Sequence, residues 1–347
     1  MKVKRITALL VALVCLFGCF GCSGETTPAE NQTTTEPVET GTPATTEPVE
    51  TSTPVTTEPA VSEAAMEKLD GKKVLIVGNS LCFYGHAVLR DGTDVLTQEQ
   101  RNHDKGYFYQ LCKSQGAEVS VTDWAYGDHS LFETLGNSCT RSTCLGVDHL
   151  SYLTDRYYDY VVFTPYEKDH DVNMQEYLQP MMDIFLAVNP NVQFILAVPH
   201  MAYTHNFAWA ARLPEIDRSK LTVCNWGKMV TDIIDGRVQV PNAKQQYIKN
   251  SFVVSVSEKD GFHQNVLSGY ITALMLYCAI TGDSAVGLPY DFCSDTSIDT
   301  RFNFAVYKKE KYIYDPFTNF IEIFESPADM DGLQQLVDRY IAEPFPG

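Results

Sequence analysis

The chain has 347 residues, 44% of them hydrophobic and 12% aromatic, which is enough apolar material for a full core and excludes a wholly disordered protein. Lys and Arg number 26 against 44 Asp and Glu, a net charge of −18. So acidic a surface repels phosphate backbones, so no nucleic acid is expected as a partner, and the charge says nothing about fold.

Composition divides the chain into three parts: 1–22, 23–62 and 63–347. The first opens on Met1-Lys2-Val3-Lys4-Arg5 and continues with an apolar run over 6–17. A charged start followed by a short apolar run has the form of a secretory signal. It is too short for a comfortable membrane span, which needs about 20 apolar residues. Cys19 and Cys22 each follow a glycine, and both contexts resemble the bacterial lipobox, in which the Cys is lipidated and becomes the new N-terminus. Cys19 has the better residue three places upstream, and Cys22 the more usual polar followers, Ser23 and Gly24. A plain signal peptide or an uncleaved anchor is the alternative. Two acyl chains on one Cys give stable anchoring, so the expectation is a cell-surface protein held to the bacterial membrane.

Residues 23–62 contain an 11-residue repeat, seen in Thr34-Thr35-Glu36-Pro37, Thr45-Thr46-Glu47-Pro48 and Thr56-Thr57-Glu58-Pro59. Such a segment buries too little surface to offset its ordering entropy. Pro and Glu keep it extended, so it is expected to act as a tether. Residues 61–347 then hold 23 basic against 37 acidic side chains and stay acidic on their own.

In chain order, Lys73–Gly78 is an apolar run ending at a glycine, the pattern of a buried parallel strand. Further strands are expected over 118–123, 158–164, 192–198 and 251–256. Helical stripes intervene. Residues 174–188 place Tyr177, Met181, Ile184, Phe185 and Val188 at helical spacing. Residues 225–234 and Val266–Thr281 are similar, the second closed by Gly282. Strands alternating with helices predict an α/β sandwich on a mostly parallel sheet, with chemistry in the loops beyond the strands' carboxyl ends. Residues 284–347 break the rhythm. They are rich in aromatics (Tyr290, Phe292, Phe302, Phe304 among them) and end in an expected helix over 330–341. They are expected to be a packing extension, with the wall of a sugar-binding cleft as the sharper alternative.

Ten cysteines occur, three of them in the export signal. The seven others are an odd number, so at least one is unpaired or intermolecular. Cys139 and Cys144 enclose a short Thr-Arg-Ser-Thr loop and form the best disulfide candidate. Among these seven no CxxC pair occurs, and neither they nor the His residues show zinc-site spacing, so no metal is expected. His200 after the fourth strand, and Asp169-His170-Asp171 after the third, are expected to be polar loop residues, with a place at the site as the alternative.

Two segments point to nucleophilic chemistry. Gly78-Asn79-Ser80-Leu81 places a serine directly after a buried strand. There its own N–H and a following helix N-terminus can stabilise an oxyanion. The same residues also make good helix-capping chemistry. Asp260-Gly261-Phe262-His263 opens the helix Val266–Thr281. A serine hydroxyl needs a general base, and a histidine base needs a carboxylate to orient it. Asp260 and His263, three apart, can meet on one turn.

Val74-Leu75-Ile76-Val77-Gly78-Asn79-Ser80 resembles the first conserved block of the SGNH/GDSL hydrolase superfamily, in a form with Asn before the Ser. Asp260-Gly261-Phe262-His263, followed by Gln264, Gly269-Tyr270 and Thr281-Gly282, resembles its last block. The likeness covers residues 72–283. It implies a three-layer α/β/α sandwich with a flavodoxin-like sheet, and esterase, lipase or carbohydrate-deacetylase activity with no metal or other cofactor, a lipase being the less expected because no long apolar lid segment is present. It further implies Ser80 as nucleophile, His263 as base and Asp260 as its orienting carboxylate. Backbone N–H groups of Ser80 and of Gly127, in Trp124-Ala125-Tyr126-Gly127, would bind the oxyanion. The third block departs from the family. Its usual Asn is absent from Val162-Phe163-Thr164-Pro165-Tyr166, and Thr164 or Tyr166 is left as a substitute donor. Loss of one such donor costs about 10²–10³ in turnover, which puts efficiency in question more than mechanism.

The expected function is an extracytoplasmic serine esterase. Its substrate would be an acylated small molecule or polysaccharide, acetylated polysaccharide first. A surface-glycan acyltransferase using the same triad, and a noncatalytic glycan-binding lipoprotein, are the alternatives.

Overall fold

The structure is a computed structural model that describes residues 61–79, 81–82, 102–103, 106–125, 130–131, 153–165, 174–199, 218–248, 251–252, 264–294 and 326–342. The elements in order are α1 (Glu63–Leu69), β1 (Lys73–Gly78), β2 (Asn102–His103), α2 (Tyr107–Ser114), β3 (Ser120–Ala125), β4 (Tyr160–Phe163), α3 (Met174–Leu186) and β5 (Gln193–Ala197). There follow β6 (Leu221–Cys224), α4 (Trp226–Ile234), α5 (Val266–Thr281) and α6 (Pro327–Ala342).

The sheet order is β2-β3-β1-β4-β5-β6. Five strands, β3-β1-β4-β5-β6, are parallel, and the two-residue β2 adds antiparallel to the β3 edge. Counted along the chain, those five run 2-1-3-4-5, the flavodoxin-like order. The chain leaves β1 for β3 on one side, then passes over β1 to β4 on the other. The order therefore reverses between β1 and β4, and the carboxyl end of that pair is where ligands sit in such sheets.

Side-chain alternation explains the layers. In β1, Val74 and Ile76 enter one apolar cluster with helices α1, α2, α4, α5 and α6. Leu75 and Val77 point the other way, into a second cluster with Leu178, Met181, Met182 and Phe185 of α3. A period of two sends successive residues to opposite faces, so a strand apolar at every position is covered on both sides. The α/β/α sandwich expected from the sequence is the observed fold.

Helix α5 is the centre of the larger layer. Buried residues occupy every side of it, from Val266 to Thr281, because neighbouring helices and the sheet surround it. Asn265 caps its start by accepting from the Ser268 N–H (3.0 Å). Gly282 ends it in the left-handed region at φ 80°, its N–H donating to the Cys278 carbonyl (2.8 Å). Helix α6 lies against α5 and α4 and adds its buried face to the same core. A Cβ on Gly332 would stand 2.1 Å from the Pro241 carbonyl oxygen, so only glycine permits this approach. Tyr290 and Phe292 pack on the core, with Phe292 beside Tyr107 and Tyr270 at ring centroids 6.2 and 6.1 Å apart. The aromatics from Phe302 to Phe320 lie outside the described residues.

Several boundaries differ from expectation. Ser62, read as the end of the tether, caps α1 by accepting from Ala65 N–H (3.1 Å). The expected strand over 251–256 is not the fifth parallel strand. Ser251 and Phe252 lie in a turn, 253–256 lie outside the described residues, and Leu221–Cys224 takes the place beside β5. Val188, expected on the buried stripe of α3, falls beyond the end of the helix and is exposed.

Asp232 ties α4 to α6. Lys228 Nζ (2.6 Å), Arg237 (2.7 Å) and the Tyr340 hydroxyl (2.7 Å) all donate to the carboxylate of this buried residue. Burial alone would raise its pKa, but the bonds from Lys228, Tyr340 and Arg237 outweigh this and hold it below the usual carboxylate range. A depressed pKa contributes stability above the unfolded value of about 3.9, lost as pH falls through the lower folded value. Asp232→Asn is expected to lower the unfolding free energy by about 2 kcal/mol at pH 7, less than the cost of breaking a fully buried ion pair because Lys228 and Arg237 reach solvent. Urea denaturation at several pH values checks this, since the gap between the two proteins should close below about pH 4.

Candidate functional site

The site is built from the carboxyl ends of the strands, beginning with β1. Gly78 follows four buried apolar residues and pairs with Ala125 of β3. It has little room: an added Cβ would stand 2.6 Å from Cys82 Sγ, 2.9 Å from Thr164 Cβ and 3.0 Å from the Thr164 carbonyl oxygen. Asn79, fully buried, then turns the chain. Its Nδ2 donates to the Thr164 carbonyl (3.2 Å) and its Oδ1 accepts from the Leu81 N–H (3.0 Å). Its own carbonyl accepts from the Cys82 N–H (3.1 Å), closing a turn over 79–82. Leu81 and Cys82 are fully buried as well. Ser80, the candidate nucleophile, is the position between these fixed neighbours and itself lies outside the described residues.

Thr164 is the first residue past β4, on the far side of the reversal point, and it is fully buried. Its N–H donates to the Val77 carbonyl (2.9 Å), extending the β1–β4 ladder by one rung. That bond occupies the backbone donor, so a role for Thr164 in holding an oxyanion would fall to its hydroxyl.

Helix α5, which follows the second sequence motif, begins toward the same edge. At its C-terminal end, Lys68 Nζ donates to the Thr281 carbonyl (2.8 Å), and the Lys68 carbonyl accepts from the hydroxyl of Tyr160, the first residue of β4. That end therefore lies at the amino edge of the sheet. Further back, the Met275 carbonyl accepts from Sγ of Cys224, the last residue of β6 (3.6 Å). Sixteen residues make a helix of about 24 Å, longer than any of these strands. Its N-terminus consequently lies at the carboxyl edge, with Gln264 and Asn265 leading into it.

The segment before the helix is held at its base. Asn265 N–H donates to the Phe252 carbonyl (3.3 Å), and Asn265 Nδ2 to the Ser251 carbonyl (2.8 Å). The Ser268 hydroxyl also donates to the Phe252 carbonyl. The chain thus leaves Phe252 and returns at Gln264 beside the same clamp. Asp260 and His263 are within that excursion and lie outside the described residues. Gln264, next to His263, is fully buried. Its Nε2 donates to Thr272 (3.1 Å), while its Oε1 is buried with no hydrogen-bond partner among the described residues.

Other candidates fall elsewhere. Gly127, Tyr166, Asp169, His170, His200, the lipidation candidates Cys19 and Cys22, and the Cys139–Cys144 pair lie outside the described residues. Burial pushes up the thiols of Cys112, Cys278 and Cys293, and that of Cys224 to about 12, so none of these is a thiolate nucleophile at neutral pH. Among the described residues, no three His, Cys, Asp or Glu side chains gather closely enough to hold a metal ion. Also among them, no helix is long and apolar enough to cross a membrane. Two clefts of about 720 and 370 Å³ open beside Asp283 and beside Tyr247, and neither includes a residue from the strands' carboxyl ends.

The sequence pattern did not single out two residues of this edge. Asn79 and Asn265 look like ordinary helix-capping chemistry, yet each ties down the segment next to a candidate catalytic residue. What distinguishes them is contact across the sequence (Asn79 to Thr164, Asn265 to Ser251), which a local pattern does not encode.

No family model matches the chain, and no curated protein matches it. Among solved structures, a family-two carbohydrate esterase from Clostridium thermocellum, in complex with cellohexaose, matches at TM-score 0.25 and 14% identity. That match covers 45% of this chain and about half, 54%, of the esterase. A second solved chain matches at TM-score 0.26 and 10% identity, over 79% of this chain and 97% of its own length. Likenesses this slight carry no argument about activity.

Proposed function

We propose that the protein is an extracytoplasmic serine esterase that removes acyl groups, acetyl first among them, from a polysaccharide or a smaller acylated molecule. The observation that supports this is topological. The turn bearing Ser80 leaves β1 at the reversal point of a flavodoxin-like sheet, and the residue after His263 leads into a helix that starts at the same edge. The described residues that flank the two motifs, Asn79 and Leu81 on one and Gln264 on the other, thus lie toward one edge of the sheet although they are far apart in sequence.

In the proposed reaction Ser80 Oγ attacks the ester carbonyl carbon while His263 takes its proton. The carbonyl oxygen becomes an oxyanion, bound by the N–H groups of Ser80 and Gly127 and by the Thr164 hydroxyl. The C–O bond to the alcohol breaks, and the alcohol leaves with the proton from His263. Water, deprotonated by the same imidazole, then attacks the acyl-enzyme. Carboxylic acid is released and Ser80 regains its proton. Asp260 holds the imidazole in the correct tautomer throughout. None of these steps calls on a metal or an organic cofactor. Lipidation at Cys19 or Cys22 would hold the enzyme at the cell surface, where such substrates occur.

The test is acetate release from acetylated polysaccharide, alongside hydrolysis of p-nitrophenyl acetate and octanoate, by the full-length chain. The proposal expects acetate release, with the short acyl ester preferred. A folded protein that hydrolyses none of the three contradicts it.

A further inference from the structure

We propose that Asn79 is the positioning residue for the nucleophile, its side-chain amide setting the turn that presents Ser80 against the end of β4. This rests on the reading of Ser80 given above. The argument begins with what the site demands. The Thr164 carbonyl points at Asn79 and needs a donor, and the Leu81 N–H needs an acceptor. Both lie in a fully buried environment where an unmet polar group costs about 1–3 kcal/mol. A carboxamide donates at one terminal atom and accepts at the other, and Asn79 satisfies both demands at 3.2 and 3.0 Å.

The two bonds act on different parts of the site. The one to Leu81 spans Ser80, with Asn79 on one side of it and Leu81 on the other. The one to Thr164 crosses the reversal point, so it fixes the turn relative to the end of β4. Gly78 allows this closeness, since any side chain there would strike Thr164 or Cys82. Asn79 and Leu81, the residues on either side of position 80, are therefore tied to β4 as well as to β1. Nucleophile placement is sensitive: a displacement of about 1 Å costs on the order of 10² in rate.

The requirement for a donor gives a distinctive test. A carboxylate at position 79 still accepts from Leu81, but sets an anionic oxygen against the Thr164 carbonyl. A protonated carboxyl group restores both bonds. Burial raises a carboxyl pKa by up to about 3–5 units, so Asn79→Asp should change state near neutral pH. The measurement is the rate at which a fluorophosphonate probe labels full-length wild type and Asn79→Asp from pH 5 to 8.5, with circular dichroism at each pH. The ratio of variant to wild type removes the pH dependence that the probe reaction has in both proteins; His263, Asp260, Cys82 at the turn and Asp123 on β3 are ionisable groups present in both.

The expected ratio is within about threefold of one at pH 5 and at least about tenfold lower at pH 8.5. A ratio that stays constant with pH overturns the proposal while leaving Ser80 as nucleophile, as does loss of fold at pH 5. If Asn79→Asp loses its fold only at high pH, Asn79→Ser decides. Labelling at least tenfold slower than wild type in a folded protein supports the role, and labelling at the wild-type rate overturns it. Unfolding of both variants at pH 8.5 assigns Asn79 to stability alone and also overturns it. Wild type that takes no probe on Ser80 removes the serine reading and this proposal together, an outcome distinct from all the others.

Discussion

His263→Ala is expected to lower ester turnover by about 10⁴-fold, near the upper end of what a general base contributes. In the proposed mechanism the imidazole acts twice, first on Ser80 Oγ and then on water, so neither half-reaction escapes the loss. The pH profile separates this from a structural effect. The base must be neutral, so wild-type turnover should rise with pH through about 6.5, and that rise should vanish in the variant. Asp260→Asn should keep the fold and lose somewhat less, since it disturbs the tautomer rather than removing the base. Steady-state turnover from pH 5 to 9 decides the matter, and an unchanged profile in His263→Ala would remove His263 from the mechanism.

Gly78→Ala has the second largest expected effect, and it acts through geometry alone. The added methyl group meets Cys82 Sγ at 2.6 Å and the Cβ and carbonyl oxygen of Thr164 at 2.9 and 3.0 Å. Thr164 cannot easily yield. Its N–H is bonded to Val77 and its carbonyl to Asn79, so relief requires the ends of β1 and β4 to part. Overpacking of this kind costs about 1–3 kcal/mol. The same movement shifts residue 80 relative to β4, and turnover should fall by about 10²-fold. Turnover and a urea denaturation curve measured on one preparation test both parts. A destabilised variant with wild-type turnover would show that closeness between β1 and β4 does not govern the nucleophile.

The fold was largely legible because a parallel sheet buried on both faces leaves a loud pattern. Val74 to Val77 is apolar at every position, and Lys73–Gly78 is the strand as expected. Helix α5 coincides with its expected limits because Asn265 and Gly282 are strong stop signals at its two ends. The misplaced fifth strand had the opposite character. Leu221–Cys224 is a four-residue edge strand with Thr222 exposed, so it lacks the unbroken apolar run that marks β1. The more apolar stretch near Phe252 attracted the assignment instead. Helix α2 was missed for a similar reason: it starts at Tyr107 behind Gly106, which offers no side-chain cap, in a stretch whose aromatics suggest a strand as readily as a helix.

The candidate site was legible as chemistry but not as geometry. Ser80, Asp260 and His263 are candidates because of their residue type and because they follow or precede recognisable elements. Nothing local in the sequence says that Asn79 reaches Thr164, 85 residues away, or that Asn265 closes the base of the segment carrying His263. Those contacts follow from strand order, and strand order is set by the packing of both faces of the sheet.

The central claim is that Ser80 is an activated nucleophile. Its most direct test is to label the full-length chain with a fluorophosphonate and locate the adduct by peptide mass spectrometry, with Ser80→Ala as control. The account predicts one adduct, on Ser80, absent from the Ala variant. A folded wild type that takes no probe, or takes it on another residue with Ser80→Ala labelled equally well, would contradict it.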